Sequence, residues 1–222
     1  MGIKERQERD REAVRRAILD AARELFVAEG YQNVSIRKVA ERIEYSPAAI
    51  YGYFASKDDL FFALAEEGFR LLSTPVGLSQ NDKLDPLERI RAIFWRFYEF
   101  SREHPQYFWL MFVDRSVPRI CREYERSPFV RELRRNLIAQ VQRAIDVNSL
   151  PSTVDASVVF HLLATGITGV ALMRLSDRGP TAIADELARD VINVLIAGLQ
   201  TGVRLESPAP VWPTEAAHAH VS

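Results

Sequence analysis

Ala48, Ala49, Tyr51 and Tyr53 stand close together in the sequence, behind the pair Ser46-Pro47 and one turn ahead of Lys57. Residues of these types have a chemistry as a set. Small side chains let a backbone come close to a flat partner, phenol hydroxyls donate to anionic oxygens, and a lysine adds positive charge at the margin. A helix that met only water would more often show Glu, Lys or Gln at such positions.

The elements that must hold this set can be read from the residues around it. Ile36, Val39, Ala40 and Ile43 follow the i, i+3, i+4, i+7 spacing of a helix with one buried face. Ser46 has the side chain of an N-cap, and Pro47 at the first helical position loses no hydrogen bond and pre-sets φ. Glu44-Tyr45 leaves room only for a sharp corner between the two helices. Within the second helix, Ile50 and Phe54 lie four apart and can face a core, which turns Ala48, Ala49, Tyr51 and Tyr53 outward. Two short helices meeting at such a corner form a helix-turn-helix, whose second helix is sized for the major groove of DNA. The plain alternative is a helical hairpin whose tyrosines pack on a neighbour.

The run from Ile18 to Leu64 resembles the N-terminal DNA-binding domain of the tetracycline-repressor (TetR) family of bacterial transcriptional regulators. The resemblance rests on Ala21-Ala22, Leu25-Phe26, Gly30-Tyr31, Ser35, Val39-Ala40, Ser46, Ile50-Tyr51, Phe54, Ser56-Lys57 and Leu60. It implies that Ser35, Arg37, Ser46, Ala48, Ala49, Tyr51, Tyr53 and Lys57 contact DNA. It also implies a variable C-terminal part that binds a small molecule and forms a dimer. Two positions depart from the pattern: glycine is usual in the turn where this chain has Glu44, and histidine is common where Tyr53 stands. A turn glycine often serves a positive φ, which glutamate adopts at a cost of about 1 kcal/mol. Glu44 also brings a negative charge near the expected phosphates.

Net charge does not announce a nucleic-acid partner. Residues 1–57 carry eleven Lys and Arg against nine Asp and Glu, and the whole chain of 222 residues has a formal charge of −1. Placement matters more. Arg6, Arg9, Arg11, Arg15 and Arg16 precede the first amphipathic helix, where they either extend as an arm toward a nucleic-acid backbone or sit in a solvated helical turn beside Glu5, Glu8, Asp10 and Glu12.

At 47% hydrophobic residues the chain can build one large core or two smaller units sharing a helix. A single cysteine, Cys121, excludes an internal disulfide framework and suits a reducing cytoplasm. The charged N-terminus has no apolar stretch of the kind a secretory signal needs. The longest low-charge run, Ala156 to Met173, is broken by His161, Thr165, Gly166, Thr168 and Gly169 and falls short of the roughly 20 residues of a membrane span. A cytoplasmic protein with no membrane partner is expected.

The expected fold is all-α. It comprises a three-helix helix-turn-helix domain with a basic N-terminal arm over residues 1–57, a larger helical ligand-binding and dimerisation domain over 58–205, and a proline- and alanine-rich, disordered tail over 206–222. Gly30 should close the first long helix. Ser56 should cap a helix running to about Ser73, with Asp58 and Asp59 complementing its positive end. Asp85-Pro86 and Ser127-Pro128 should open helices ending near His104 and Asp146. Pro151-Ser152 precedes another running to Ser176, and Gly179-Pro180 begins the last, to about Val203. With Pro105 to Val113 and Pro118 to Arg126 the count is nine or ten helices, without strand alternation or internal repeat.

The last two long helices are the expected dimer contact. Ala156 to Met173 is apolar nearly all round, and such a helix must be covered on both sides. Gly166, Gly169, Val191, Leu195, Gly198 and Gly202 are the residues placed at that interface. Dense aromatics between residues 94 and 112, with a polar line on the penultimate helix, suggest a cavity for an apolar or amphipathic molecule lined by Phe94, Phe97, Ser101, Phe108, Phe112, His161 and Thr165. An ordinary core is the competing use of such residues.

Enzymatic readings find no support. The sequence has no glycine-rich phosphate loop after a strand, no paired His and Cys at metal-ligand spacing and no G-x-S-x-G elbow. No cofactor, metal or catalytic residue is expected. The leading expectation is a homodimeric repressor that binds a palindromic operator in double-stranded DNA and is released by a small-molecule effector. A helical interaction protein with a degenerate helix-turn-helix is the alternative, and an all-α enzyme using the aromatic cavity ranks behind both.

Overall fold

The computed structural model describes residues 2–73, 85–114, 127–176 and 181–209. Cys121, the helix expected over Pro118 to Arg126, Gly179-Pro180 and the tail from residue 210 lie outside the described residues. Among those described, the regular elements are all helical: α1 (Ile3–Glu29), α2 (Ile36–Arg42), α3 (Pro47–Tyr51), α4 (Lys57–Ser73), α5 (Pro86–Glu103), α6 (Pro105–Phe108), α7 (Pro128–Asp146), α8 (Ala156–Leu175) and α9 (Ala184–Gln200). A π-helical stretch, Trp109–Val113, continues α6.

The stops and starts have the causes anticipated from sequence. Gly30 at φ 76° closes α1 by donating its N–H to the Phe26 carbonyl. The Ser56 hydroxyl oxygen accepts from the Asp59 amide at the head of α4. Asp85 accepts from the amides of Leu87 and Glu88, and Ser127 from that of Val130, each beside a proline at the helix start. Satisfying these otherwise orphaned donors stabilises each helix end by about 1 kcal/mol. Helix α8 starts later than Pro151-Ser152 suggested, because Asp155 supplies the cap. The arginine-rich segment ahead of Ile18 is helical, being the first turns of α1.

The chain forms two compact units. The first holds the residues up to Gly68 and the stretch that begins at Gln106; the second begins at Phe69, runs to Pro105 and resumes afterwards. A boundary at residue 57 therefore follows the end of the helix-turn-helix but cuts the first unit short. Leu60, Phe61, Leu64 and Ala65 of α4 are buried in that unit. Phe26, Tyr31 and Phe61 pack there ring against ring, with centroids 5.5–5.7 Å apart. Arg16 of α1 donates to Asp20 (2.6 Å) and to Glu67 of α4 (2.5 Å), while the Tyr107 hydroxyl donates to the same Glu67 oxygen (2.7 Å) and accepts from Arg23 (2.9 Å). Gly68 lets the π-helical stretch approach, since any Cβ there would collide with Met111 Sδ.

The second unit packs α5, α7, α8 and α9 around a continuous apolar core that includes Ile90, Phe94, Tyr98, Val159, Leu163, Ile167, Ile192 and Ile196. Tyr98 and Arg102 both donate to Asp185, at 2.8 Å each, which ties α5 to α9. Burial and the Asp185 carboxylate push the Tyr98 phenol up to about 12. Helix α8 extends through Arg174-Leu175 to 20 residues and is, by length and composition alone, apolar enough to cross a membrane. The sequence estimate of a run too short to span is corrected on this point. In this unit, however, α8 is taken up in packing against α5, α7 and α9.

Gly166 sets the closest approach of α8 to α9, for a Cβ there would lie 3.0 Å from both Leu195 Cδ1 and Val191 Cγ1. Gly166→Val is expected to lower the unfolding free energy by about 1–3 kcal/mol through overpacking. Gly169→Ala, whose Cβ would meet nothing within 4 Å, should instead stabilise the isolated chain by about 1 kcal/mol through helix propensity. Urea titration of the two variants checks the opposite signs.

Candidate nucleic-acid interface

Helices α2 and α3 pack together in the first unit. Ser35 caps α2 by accepting from the Lys38 amide (3.3 Å), and Ser46 caps α3 by accepting from the Ala49 amide (3.2 Å), with Pro47 at the first position. Both serines keep their hydroxyl protons for an outside acceptor. Ile36, Val39 and Ala40 are buried and Ile43 is half-buried, as the spacing required. Ile50 has no exposed surface and Phe54 little, so α3 is anchored from one side.

The corner between the helices is a Schellman motif. Glu44 donates to the Glu41 carbonyl (3.3 Å) and Tyr45 to the Ala40 carbonyl (2.9 Å), the two bonds that define it. The motif demands a left-handed residue at Glu44, which has φ 59°. Helix α7 ends in the same way, but there Asn148 takes the left-handed place at φ 60°. Asparagine tolerates that region better than glutamate does. The strain inferred from the missing turn glycine is therefore present.

Ala48 and Tyr51 face out, Tyr51 with 56% of its surface exposed, and Ala49 is half-covered. Tyr45 in the corner is exposed as well. Arg37 is exposed and paired with Glu41 one turn on (2.8 Å).

Two expectations need correction. Helix α3 stops at Tyr51 instead of running to Phe54, because Gly52 turns the chain and the amides of Tyr53 and Phe54 both bond the Ile50 carbonyl (2.9 and 3.0 Å). Tyr53 is consequently half-buried, with the Arg11 guanidinium 5.6 Å above its ring. Lys57 is not a surface charge awaiting a phosphate. Its ammonium donates to the carbonyls of Tyr31 (2.9 Å) and Val34 (3.0 Å) and lies 4.0 Å from the Tyr31 ring centroid. Desolvation there lowers its pKa. Two of its three donors are thus spent inside the domain, and its first role is to fasten the head of α4 to the segment after α1.

Residues 18–64 match the family model described as bacterial regulatory proteins, tetR family. Those residues form a tetR-family domain. The match brackets the features just described, from the buried Ile18 of α1 to the buried Leu64 of α4. Among curated proteins, the chain is 47% identical over 55 residues to an HTH-type transcriptional repressor, Rv1474c, of Mycobacterium tuberculosis. That alignment covers 25% of this chain and 29% of the relative's length. The fatty acid degradation regulator FadR of Bacillus halodurans has the same fold, with a TM-score of 0.68 at 16% identity over 83% of this chain and 95% of that one. The regulator FadR of Bacillus subtilis, solved with stearoyl-CoA, follows at a TM-score of 0.66 and 15% identity, covering 82% and 97%. The helices beyond the tetR-family domain thus share an architecture with these regulators.

The residues placed at a ligand cavity are divided between the two units. Phe94 packs on Phe160 (5.8 Å between centroids), and His161 meets the same ring edge-on at 5.3 Å while its Nδ1 lies 2.6 Å from the Ser157 carbonyl. Ser101 is fully buried and donates to the Tyr98 carbonyl (2.6 Å), and Phe97 is half-buried. Phe108 and Phe112 contact each other at 5.0 Å and belong to the first unit. Thr165 is exposed on α8 and so lines no interior within the chain.

The dimer candidates divide too. Gly166, Val191 and Leu195 meet one another inside the chain, whereas Gly169 and Gly202 are exposed and Gly198 has open space where a Cβ would be. An uncovered side remains, with Thr165, Gly169 and Leu172 on α8 and Val194 on α9, the valine 69% exposed. No group of three or more His, Cys, Asp or Glu suited to a metal occurs among the described residues.

Glu44→Gly should raise the unfolding free energy by about 0.5–1 kcal/mol, the left-handed penalty less the entropy glycine gains in the unfolded chain. Chemical denaturation of the two proteins checks this. An unchanged midpoint would mean that the Schellman bonds hold glutamate there without strain.

Proposed function

We propose that the protein is a homodimeric, DNA-binding transcriptional repressor of the cytoplasm, released from a palindromic operator by an apolar or amphipathic small molecule. One observation carries the reading: α3 is capped by Ser46, anchored by Ile50 and bare on the other side, where Ala48 and Tyr51 are exposed. A short helix so presented can enter a major groove with its backbone close to base edges, while Ser35, Ser46 and Arg37 reach phosphates. Ala49 and Tyr53 border the same surface.

Dimerisation is supported by the uncovered side of α8 and α9. A second copy related by a two-fold axis would bury Leu172 and Val194 against their equivalents and set two α3 helices about 34–36 Å apart, the spacing of successive major grooves. Effector binding is then a shift between two dimer states, with a coupling of typically 1–3 kcal/mol. Phe94, Phe160 and His161 are the side chains around which a cavity in the second unit would form. A screen for release should include a long-chain acyl-CoA, because a protein of the same fold was solved with one.

A second reading keeps the dimer but denies DNA recognition, on the ground that Glu44 holds an exposed carboxylate beside the recognition surface. Selection of fragments from the source genome, followed by titration in rising salt, separates the two. Salt-dependent retention of a fragment supports the repressor; no retention at any ionic strength favours the degenerate module. On a selected fragment, Tyr51→Ala should weaken binding by at least tenfold while the oligomeric state stays as it was. Val194→Glu should do the reverse at first hand, shifting the sedimentation coefficient to that of a monomer, since a charge would be forced into the apolar contact. A dimer that persists in this variant would place the interface elsewhere.

A further inference from the structure

The first turns of α1 contribute a group that the motif residues leave out. Arg11 lies with its guanidinium 5.6 Å from the centroid of the Tyr53 ring, and four residues on Arg15 lies 5.3 Å from that of Phe54. The two arginines differ in what else they meet. Arg15 has Glu12 at 3.8 Å, whereas among the described residues no carboxylate is within ion-pairing distance of Arg11. Other basic side chains nearby are engaged: Arg16 with Asp20 and Glu67, Arg37 with Glu41, Lys38 with Glu29, and Arg42 with Glu24. Arg11 is therefore an exposed cation held in place by an aromatic face and left with its charge uncompensated.

Stacking uses the flat face of a guanidinium and leaves its N–H edge directed outward, the geometry that grips a phosphate with two parallel hydrogen bonds. The site is also well placed. Tyr53 follows Tyr51, the last residue of α3, by two positions, so the guanidinium lies over the segment that leaves the helix. The major groove is about 12 Å wide, so a helix lying in it has a phosphate ridge roughly 6 Å to either side. Arg11 lies over the ring of a residue two positions past the end of α3, on the side of the chain where such a ridge would run if α3 enters the groove.

We infer that Arg11, positioned by the ring of Tyr53, is a phosphate-binding residue that clamps the DNA backbone flanking α3. The inference rests on the DNA-binding reading above and adds to it a contact from α1. Tyr53, half-buried where an outward base or phosphate contact was expected, becomes the platform that orients the arginine.

The test is the salt dependence of binding to a duplex that the wild-type protein selects from genomic fragments, with a random-sequence duplex of equal length beside it. Each phosphate contact adds about 0.9 to the slope of log affinity against log salt. Arg11→Gln is expected to lower the slope by about 0.9 on both duplexes, with the thermal midpoint of the free protein unchanged. Arg11→Lys should keep the slope, because the charge survives, and weaken binding, because the paired donors do not. Tyr53→Leu should lose the Arg11 contribution, so that adding Arg11→Gln to it changes nothing further. An unaltered slope in Arg11→Gln overturns the inference while leaving the repressor reading in place. A wild-type protein that binds neither duplex in a salt-dependent way overturns both.

Discussion

The burial of Ile50 is the constraint from which the recognition surface follows. Helix α3 has five residues, under one and a half turns, and a helix of that length does not persist alone in water. It exists because Ser46 accepts from the Ala49 amide, because α3 packs on α2, and because Ile50 and Phe54 are buried. Burying one such side chain stabilises by about 1.5–3 kcal/mol. That single anchor also fixes the helix's rotation, so the identity of the outward residues is decided by where one isoleucine goes.

Lys57 belongs to the same logic. A helix-turn-helix is a loose pair unless something secures its exit, and here an ammonium bonded to the carbonyls of Tyr31 and Val34 joins the start of α4 to the segment that follows α1. Tyr31 is the hub: its ring lies against Phe26, Phe61 and Lys57, and its hydroxyl donates to Asp58. A lysine of a DNA-binding motif thus serves the scaffold at least as much as the surface.

Most of the fold was legible in the sequence because its punctuation is local. Ser46-Pro47, Asp85-Pro86 and Ser127-Pro128 announce helix starts through interactions within four residues, and Gly30 announces an end through its own backbone. The turn strain at Glu44 was legible for the same reason. What escaped depended on contacts far apart in the chain. Nothing within Ser46 to Lys57 says that Arg11 will cover Tyr53, or that the lysine will turn inward to Tyr31. The aromatic stripes on α5 and α6 carry no mark of which unit they enter, and the polar line on α8 gives no sign that Thr165 is exposed.

Gly68 shows where a propensity scale would mislead a protein engineer. It lies inside α4, a place where replacing glycine by alanine ordinarily gains about 1 kcal/mol, and an optimisation guided by local preference would make that exchange first. The methionine sulfur seated against it turns the gain into a collision. This glycine is kept as an absence of volume, a socket for Met111, and the freedom of its backbone is incidental to the part it plays.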